Sequence, residues 1–390
     1  MTTASQRTLY WLTEDLRLQD NPALSAAATN SASLICVFCW DTGWQESDRF
    51  GNQRLGAHRE NFLKQTLHNL DQSLRQLGQQ LIVIRGNPVD SISSLISQHS
   101  IDVVVRSQRP GTFERRHWRS LQQRFPFLTY HEVPTFTLLR QEQLPFGEAL
   151  PETFTQFRAQ VEAIAIDPIT PAPKHLPPPP HGLTSSDLVP RAFPTEALNF
   201  VGGESAGLNH LHDYFSTDAA SQYKQTRNAL DGWYQSSKFS PWLANGSLSA
   251  KLLLKTLRDY EREQGANDST YWIFFELLWR EYFQWYATNH KHRLFRFAGI
   301  HDSKPLTSFY AARFRKWCTG NTPLPIVNAC MAQLNATGYI SNRGRQLVAS
   351  CLVNELSLDW RCGAAYFEQQ LIDYDVAANW GNWQYIAGVG

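Results

Sequence analysis

The sequence from Thr337 to Gly390 reads TGYISNRGRQLVASCLVNEL and then SLDWRCGAAYFEQQLIDYDVAANWGNWQYIAGVG. Leu347, Val348, Leu352, Val353 and Leu356 recur in it at helical spacing. Positions three and four apart on a helix share a face, so the pattern sets Asn342, Arg345 and Gln346 side by side. By the same rule Asp375 and Asn379 fall one turn apart, while Asp373, Trp360, Trp380, Trp383 and Tyr385 crowd the remainder. A cation, two carboxylates, amides and indoles carried to one place by apolar helices suit a large, polar, redox-active ligand better than a plain core.

At 390 residues the chain exceeds the size at which one core is usual. Its net charge of +1 announces no nucleic acid, so any such site must be local. The 13 tryptophans lie mostly after residue 230, and packing accounts for most of them. Cys36 and Cys39 mimic a CxxC, but within the strand-like LICVFCW they face opposite sides. Reduced thiols and no metal are expected. The N-terminus, MTTASQRTLYW, lacks an apolar signal core, and no run approaches membrane-spanning length. A cytoplasmic monomer without membrane contact is the expectation.

The first third alternates between two periods. TLYWL (8–12), SLICVFCW (33–40), QLIVIRG (80–86), IDVVVRS (101–107) and FLTYHEV (127–133) read as strands. Between them, 57–77 and 88–98 read as helices, the former ended by Gly78. Such alternation predicts an α/β domain with a Rossmann-like parallel five-stranded sheet, and such sheets bind ligands beyond the carboxyl ends of their strands. No GxGxxG follows the first strand, so a dehydrogenase loses its main support. The expected partition is an α/β domain over 1–135, an interdomain linker over 136–200 and a helical domain over 201–390. The proline-rich heart of the linker, 167–194, suits a semi-rigid connector more than a PxxP recognition site. After Gly203 the pattern is nearly all helical. Within it, Ser236-Ser237-Lys238-Phe239-Ser240-Pro241 has the composition of a phosphate cradle or of an ordinary serine N-cap. Glu276, Trp279 and Arg280 share a helix face, as a salt-bridged pair or as a buried functional group.

These segments resemble the photolyase/cryptochrome family over nearly the whole chain. WLTEDLRLQDNPAL is similar to that family's WFRxDLRLxDNPAL, SKFSPWLANGSLS to its TKFSPWLAxGxLS, and ELLWREYF to its ELxWRxxF. NRGRQLVAS, LDWRCGAAYFEQQLIDYDVAANWGNW and LPFGEALPETFTQFRAQVE resemble the cryptochrome-DASH branch. The resemblance implies an all-α FAD-binding domain. Tyr223 and Ser236 to Ser240 would hold the FAD phosphates and ribityl chain, with Arg280 near the diphosphate. Arg345 would pair with Asp373 beside the isoalloxazine, Asp373 and Asp375 would meet its polar edge, and Asn379 would face flavin N5. Glu276 and Asn342 would bind a flipped-out pyrimidine dimer between Trp279 and Tyr385. Gln346 would look onto the same lesion, and Arg227 and Arg343 would meet DNA phosphates. The implied reaction is light-driven electron donation from reduced flavin to a cyclobutane dimer, ring splitting and return of the electron. Tyr385 and Gln346, replacing an indole and a methionine, fit the branch that repairs single-stranded DNA. The histidine pair of (6-4) enzymes is absent at Ser341-Asn342-Arg343.

Several departures stand out. Of the family's three electron-carrying tryptophans, Trp383 and Trp360 match the inner two, but Thr307 occupies the outer position. TPLPIVNACM carries Pro323 and Asn328 where the family has glycine and aspartate, which predicts a rebuilt loop. A second antenna, methenyltetrahydrofolate, would use an acidic residue after the fourth strand. Arg106-Ser107-Gln108 stands there, with Glu114 out of register. Relatives of this kind continue for further helices beyond the position of Gly390. The competing expectations are a blue-light receptor with little repair, a flavin-free nucleic-acid module, and a helical protein in which Arg345, Asp373 and Asp375 form a structural salt-bridge cluster.

Overall fold

A computed structural model describes residues 6–183 and 200–390; the first five residues and the 184–199 part of the expected linker lie outside it. The first third builds β1 (Gln6–Leu12), α1 (Pro22–Ala28), β2 (Ser31–Asp41), α2 (Ala57–Gln76), β3 (Leu81–Gly86), α3 (Pro88–His99), β4 (Val103–Ser107), α4 (Thr112–Arg124) and β5 (Thr129–Val133). Each strand lies within two residues of its expected bounds. The sheet is parallel throughout, in the order β3-β2-β1-β4-β5. Its central strands β1, β2 and β4 are apolar on both faces because both are covered, whereas edge strand β5 is polar and partly exposed. Tyr10, Leu12, Cys36, Phe38 and Val83 pack on one side with residues of α1 and α2. Leu9, Trp11, Ile35, Ile82 and Val104 pack on the other with residues of α3 and α4. Connections run outward from β1 in both directions, so the carboxyl ends of β1 and β4 flank a topological switch point.

Within the segment expected as linker, α5 (Phe154–Val161) forms, and Leu138, Leu139, Phe154 and Phe157 join the core of the helical part. Residues 167–183 carry neither helix nor strand. The helical part then runs through α6 (Glu204–Phe215), α7 (Ala219–Thr226), α8 (Ser240–Ala244), α9 (Ala250–Gln264), α10 (Asp268–His290), α11 (Ala311–Cys318), α12 (Pro325–Thr337), α13 (Asn342–Ser350), α14 (Trp360–Gln370) and α15 (Val376–Ile386). A π-helical turn, Cys351–Glu355, follows α13 and keeps Cys351, Leu352 and Val353 buried. The 23-residue α10 is the hub: it starts on an Asn267 capping box and packs against α5, α7, α9 and α15. Before α12, Thr322 N–H donates to Asn328 Oδ1 and Asn328 Nδ2 donates back to Thr322 O, both at 2.8 Å. This clasp ties the turn around Pro323 to Asn328 in the first turn of α12. No described helix is long and apolar enough to cross a membrane.

The α/β and helical parts are riveted by the loop after β1. Arg17 is buried and donates to the carbonyls of Gln19, Asp20, Thr135 and Gly246. Glu204 accepts the Leu18 and Gln19 N–H groups at 2.8 Å, and Ser249 donates to Asp20. Gly246 closes the contact with φ +71, where a Cβ would strike the Glu14 carbonyl. Arg17→Met strips four carbonyls of a donor and is expected to cost about 2–4 kcal/mol, read as a lowered denaturation midpoint. An unchanged midpoint would count against the rivet.

Candidate functional site

The site grows from Asp373, in the short turn between α14 and α15. Its carboxylate is buried, and Oδ2 accepts from Arg345 Nη2 at 2.7 Å and from Ser240 Oγ at 2.6 Å. Ser240 opens α8, whose N-cap is Phe239 and carries no side-chain cap bond. The serine N-cap alternative is therefore not realised; the hydroxyl serves Asp373 instead. Arg345 also donates Nε to Ile340 O at 3.0 Å and lies over the Tyr339 ring at 5.3 Å. Burial works against its charge, but Asp373 beside it outweighs that and holds the guanidinium above its ordinary value. Lys238, in the left-handed region at φ 55, reaches the same tyrosine ring at 5.0 Å. Burial lowers the proton affinity of its amine, against the pull of Asp231.

Asp375 is the N-cap of α15. Its Oδ1 accepts the Ala377 and Ala378 N–H groups at 2.9 Å, and Oδ2 accepts from Gln284 Nε2 at 2.6 Å. One turn on, Asn379 donates Nδ2 to Ala364 O at 3.0 Å, which turns its Oδ1 the other way. Arg280 binds the Phe136 carbonyl at 2.6 Å and approaches Leu243 O at 3.4 Å. Two residues escaped the sequence reading. Glu281, fully buried, accepts from Leu138 N, Leu139 N and Trp285 Nε1. Gln284, also buried, keeps Oε1 without a partner among the described residues, as Asp373 keeps Oδ1. Nothing short of the fold reveals either role, because Leu138, Leu139 and Asp375, which fix these side chains, lie far away in sequence. Buried polar atoms are nearly always satisfied, so two orphan acceptors among Arg345, Ser240 and Asp375 fit a donor-bearing ring edge. Phe239 belongs to an aromatic cluster with His210, Tyr214 and Phe215, so its ring is committed to packing. Ser236 and Ser237 are half-buried, and the Ser237 carbonyl meets His210 Nε2 at 2.8 Å.

A second group of residues opens outward. Glu276 pairs with Arg227, correcting the expected i,i+4 bridge to Arg280. Trp279 is stacked on Phe154, centroids 3.8 Å apart at 12°, so one face of this expected wall is already covered. Asn342, Arg345 and Gln346 fall together on α13, as their spacing predicts, but their exposure differs. Arg345 turns inward, while Asn342, Arg343 and Gln346 are exposed. Arg343 donates to Gln346 Oε1 at 3.0 Å and to Asn228 Oδ1 at 3.2 Å. Tyr385 is 73% exposed. Tyr339 lies under Arg345 and Lys238 on the inward side, and buried Tyr223 sits in α7, which packs on α10 where Glu276 stands.

Trp383 and Trp360 are both buried. Trp383 neighbours Trp317, centroids 6.3 Å apart, and Trp360 neighbours Trp380 at 5.7 Å. Thr307 comes directly before Ser308, which bridges Leu358, two residues ahead of Trp360. A separate cavity sits at the carboxyl ends of β1, β2 and β4, where parallel-sheet logic placed one. Arg54, Arg59, Arg106, Arg109 and Glu114 line it, with Tyr374 from the helical part. Glu114 thus reaches this space despite its sequence offset. Arg109, in the loop after β4, pairs with Glu14. Cys36 and Cys39 part company as expected: Cys36 packs under the sheet, Cys39 borders the cavity, and burial pushes both thiols up to about 12.

The family model for DNA photolyase matches residues 8–179, and that for the FAD binding domain of DNA photolyase matches 272–390. A cryptochrome DASH from Idiomarina loihiensis is 54% identical over 393 residues, covering 98% of this chain and 86% of the relative. One from Vibrio parahaemolyticus is 51% identical, with the same coverage of 98% and 86%. The crystal structure of a Synechocystis cryptochrome superposes with a TM-score of 0.94 at 38% identity, covering all of this chain and 83% of its own. A shared sheet order, helical part and motif set at such identities leave one assignment: the chain belongs to the photolyase/cryptochrome family, in its cryptochrome DASH branch, with FAD as its cofactor.

Proposed function

We propose that this chain is a DASH-type photolyase that splits cyclobutane pyrimidine dimers, chiefly in single-stranded DNA. One observation carries the reading: the inward pair of Arg345 and Asp373 leaves a buried carboxylate oxygen open to a ligand, while a second carboxylate–arginine pair, Glu276 with Arg227, opens outward. Bound FAD supplies light-driven one-electron chemistry. The residues of the chain do the rest. Arg345 and Asp373 hold the polar ring edge, with Asp375 and Gln284 behind them. Asn379, its Nδ2 held by Ala364 O, would offer Oδ1 as an acceptor to the flavin ring. Tyr223, Lys238 and Ser236 to Ser240 take the phosphates and ribityl chain, and Arg280 adds charge near the diphosphate.

On the outer side Glu276 and Asn342 read the polar edges of an extruded dimer. Tyr385, Gln346 and the free edge of Trp279 border it, and Arg227 and Arg343 meet phosphates. An exposed tyrosine suits a base from an unpaired strand, which stacks without the cost of opening a duplex. Trp383 and Trp360, both buried, would be the inner electron carriers toward bound FAD. A folate antenna in the sheet-end cavity would meet the carboxylates of Glu14, Asp41 and Glu114, of which Glu14 is already paired with Arg109. The photoreceptor reading draws on one observation, that Trp279 is already stacked on Phe154.

Illuminating reduced protein with a dimer-bearing oligothymidine tests the proposal. Dimers should disappear, and Glu276→Gln should slow their loss roughly tenfold. No dimer loss from the parent would leave the photoreceptor reading standing.

A further inference from the structure

Arg227, the C-cap residue of α7, and Glu276, in α10, are joined across two helices although both are within reach of solvent. Their side chains are 23% and 34% exposed. Trp272, one turn before Glu276, lies beneath two cations: Lys224 Nζ at 5.1 Å and Arg227 Cζ at 5.0 Å from its centroid. The neighbouring cations are otherwise arranged. Lys224 pairs with Asp268 at the exposed rim, 2.9 Å away, and Arg343 holds only the neutral amides of Gln346 and Asn228. Among these three, Arg227 alone is tied to a carboxylate that the proposed function assigns to the lesion.

We propose that the Arg227–Glu276 pair is a discriminating latch, in which Glu276 competes with DNA phosphate for Arg227 and so disfavours undamaged strands. Any strand that draws Arg227 onto a phosphate must break the internal pair. An undamaged strand gives Glu276 nothing in return, and a desolvated carboxylate without a partner is costly. A strand carrying an extruded dimer offers Glu276 polar base edges, so the loss is recovered only there. Selectivity then arises from a penalty against the wrong ligand as well as from contacts to the right one. Burial pushes the Glu276 carboxyl toward its neutral form, and Arg227 opposes this. Tyr223 is the other titratable group facing the pair. Once Arg227 has moved, the carboxyl is free to take up a proton and to donate to a base carbonyl.

This inference rests on the proposed lesion site, and its test separates the two. FAD-loaded protein is titrated in the dark into fluorescein-labelled oligothymidine, with and without a single dimer, and anisotropy is read. Glu276→Gln should tighten binding of the undamaged strand roughly five- to tenfold and shrink the preference for the dimer strand. Arg227→Gln should weaken both strands, and adding Glu276→Gln to it should then tighten nothing. Unchanged or weaker undamaged binding by the single Glu276 variant would overturn the latch. Equal tightening in the Arg227→Gln background would do the same, because it would report general removal of negative charge. A parent protein without any preference for the dimer strand would overturn the lesion site itself.

Discussion

Arg345→Met is expected to give a folded protein that no longer retains FAD. Arg345 holds Asp373 Oδ2 at 2.7 Å and anchors to Ile340 O, so the carboxylate is oriented before any ligand arrives. Removing the guanidinium leaves a buried negative charge with Ser240 as its remaining donor, while Oδ1 has none. Breaking a buried pair by deleting one partner costs about 3–5 kcal/mol. Most of that falls on the site, because Asp373 is neither a cap nor part of a sheet. A loss of that size weakens FAD binding by more than roughly 100-fold. Arg345→Lys should lie between parent and Met, since it restores charge without the fork. The ratio of flavin to protein absorbance after gel filtration measures retention, and stoichiometric flavin in the Met variant would contradict the assignment.

Gly246→Ala is expected to lower thermal stability by about 3 kcal/mol or more, on the order of 5 °C in Tm. At φ +71 an alanine is strained wherever it sits, and here its Cβ runs into the Glu14 carbonyl. The obstacle is backbone, so no rotamer change relieves it. The Gly246 carbonyl also receives Arg17 Nη1 at 2.9 Å, and any shift of the turn pulls on that bond. Differential scanning calorimetry reads the effect; an unchanged Tm would mean that the seam between the two parts yields more easily than its geometry indicates.

The parallel sheet, its strand bounds and the helical second half were legible because their signals are local: runs of β-branched residues, helical periodicity, and a proline-rich break. The switch-point cavity was legible in principle, from topology alone. What stayed hidden were choices of partner. Glu276 has Arg280 one helical turn away, yet it bonds Arg227, 49 residues earlier. Glu281 spends its carboxylate on Leu138 and Leu139, more than 140 residues before it. Ser240 reads as a cap and instead serves Asp373, at a separation of 133. A helix pattern says which face a side chain occupies; which of two reachable partners it takes depends on how neighbouring helices cross. Family likeness supplied roles for these positions, but not the internal bonds they make first.

Residues 373–375 carry one further consequence. Asp373 and Asp375 turn toward Arg345 and Gln284, while Tyr374 between them enters the cavity at the sheet ends, where Arg59 lies 4.7 Å from its ring centroid. Trp380 Nε1 meets the Tyr374 hydroxyl at 3.2 Å, tying that ring back to the indoles of the helical part. Three consecutive residues are thus a party wall between two chambers. A designer who reshapes the chamber by the sheet for a new pigment will move Tyr374, and with it the two carboxylates on the other side. The two rooms of this protein cannot be refurnished one at a time.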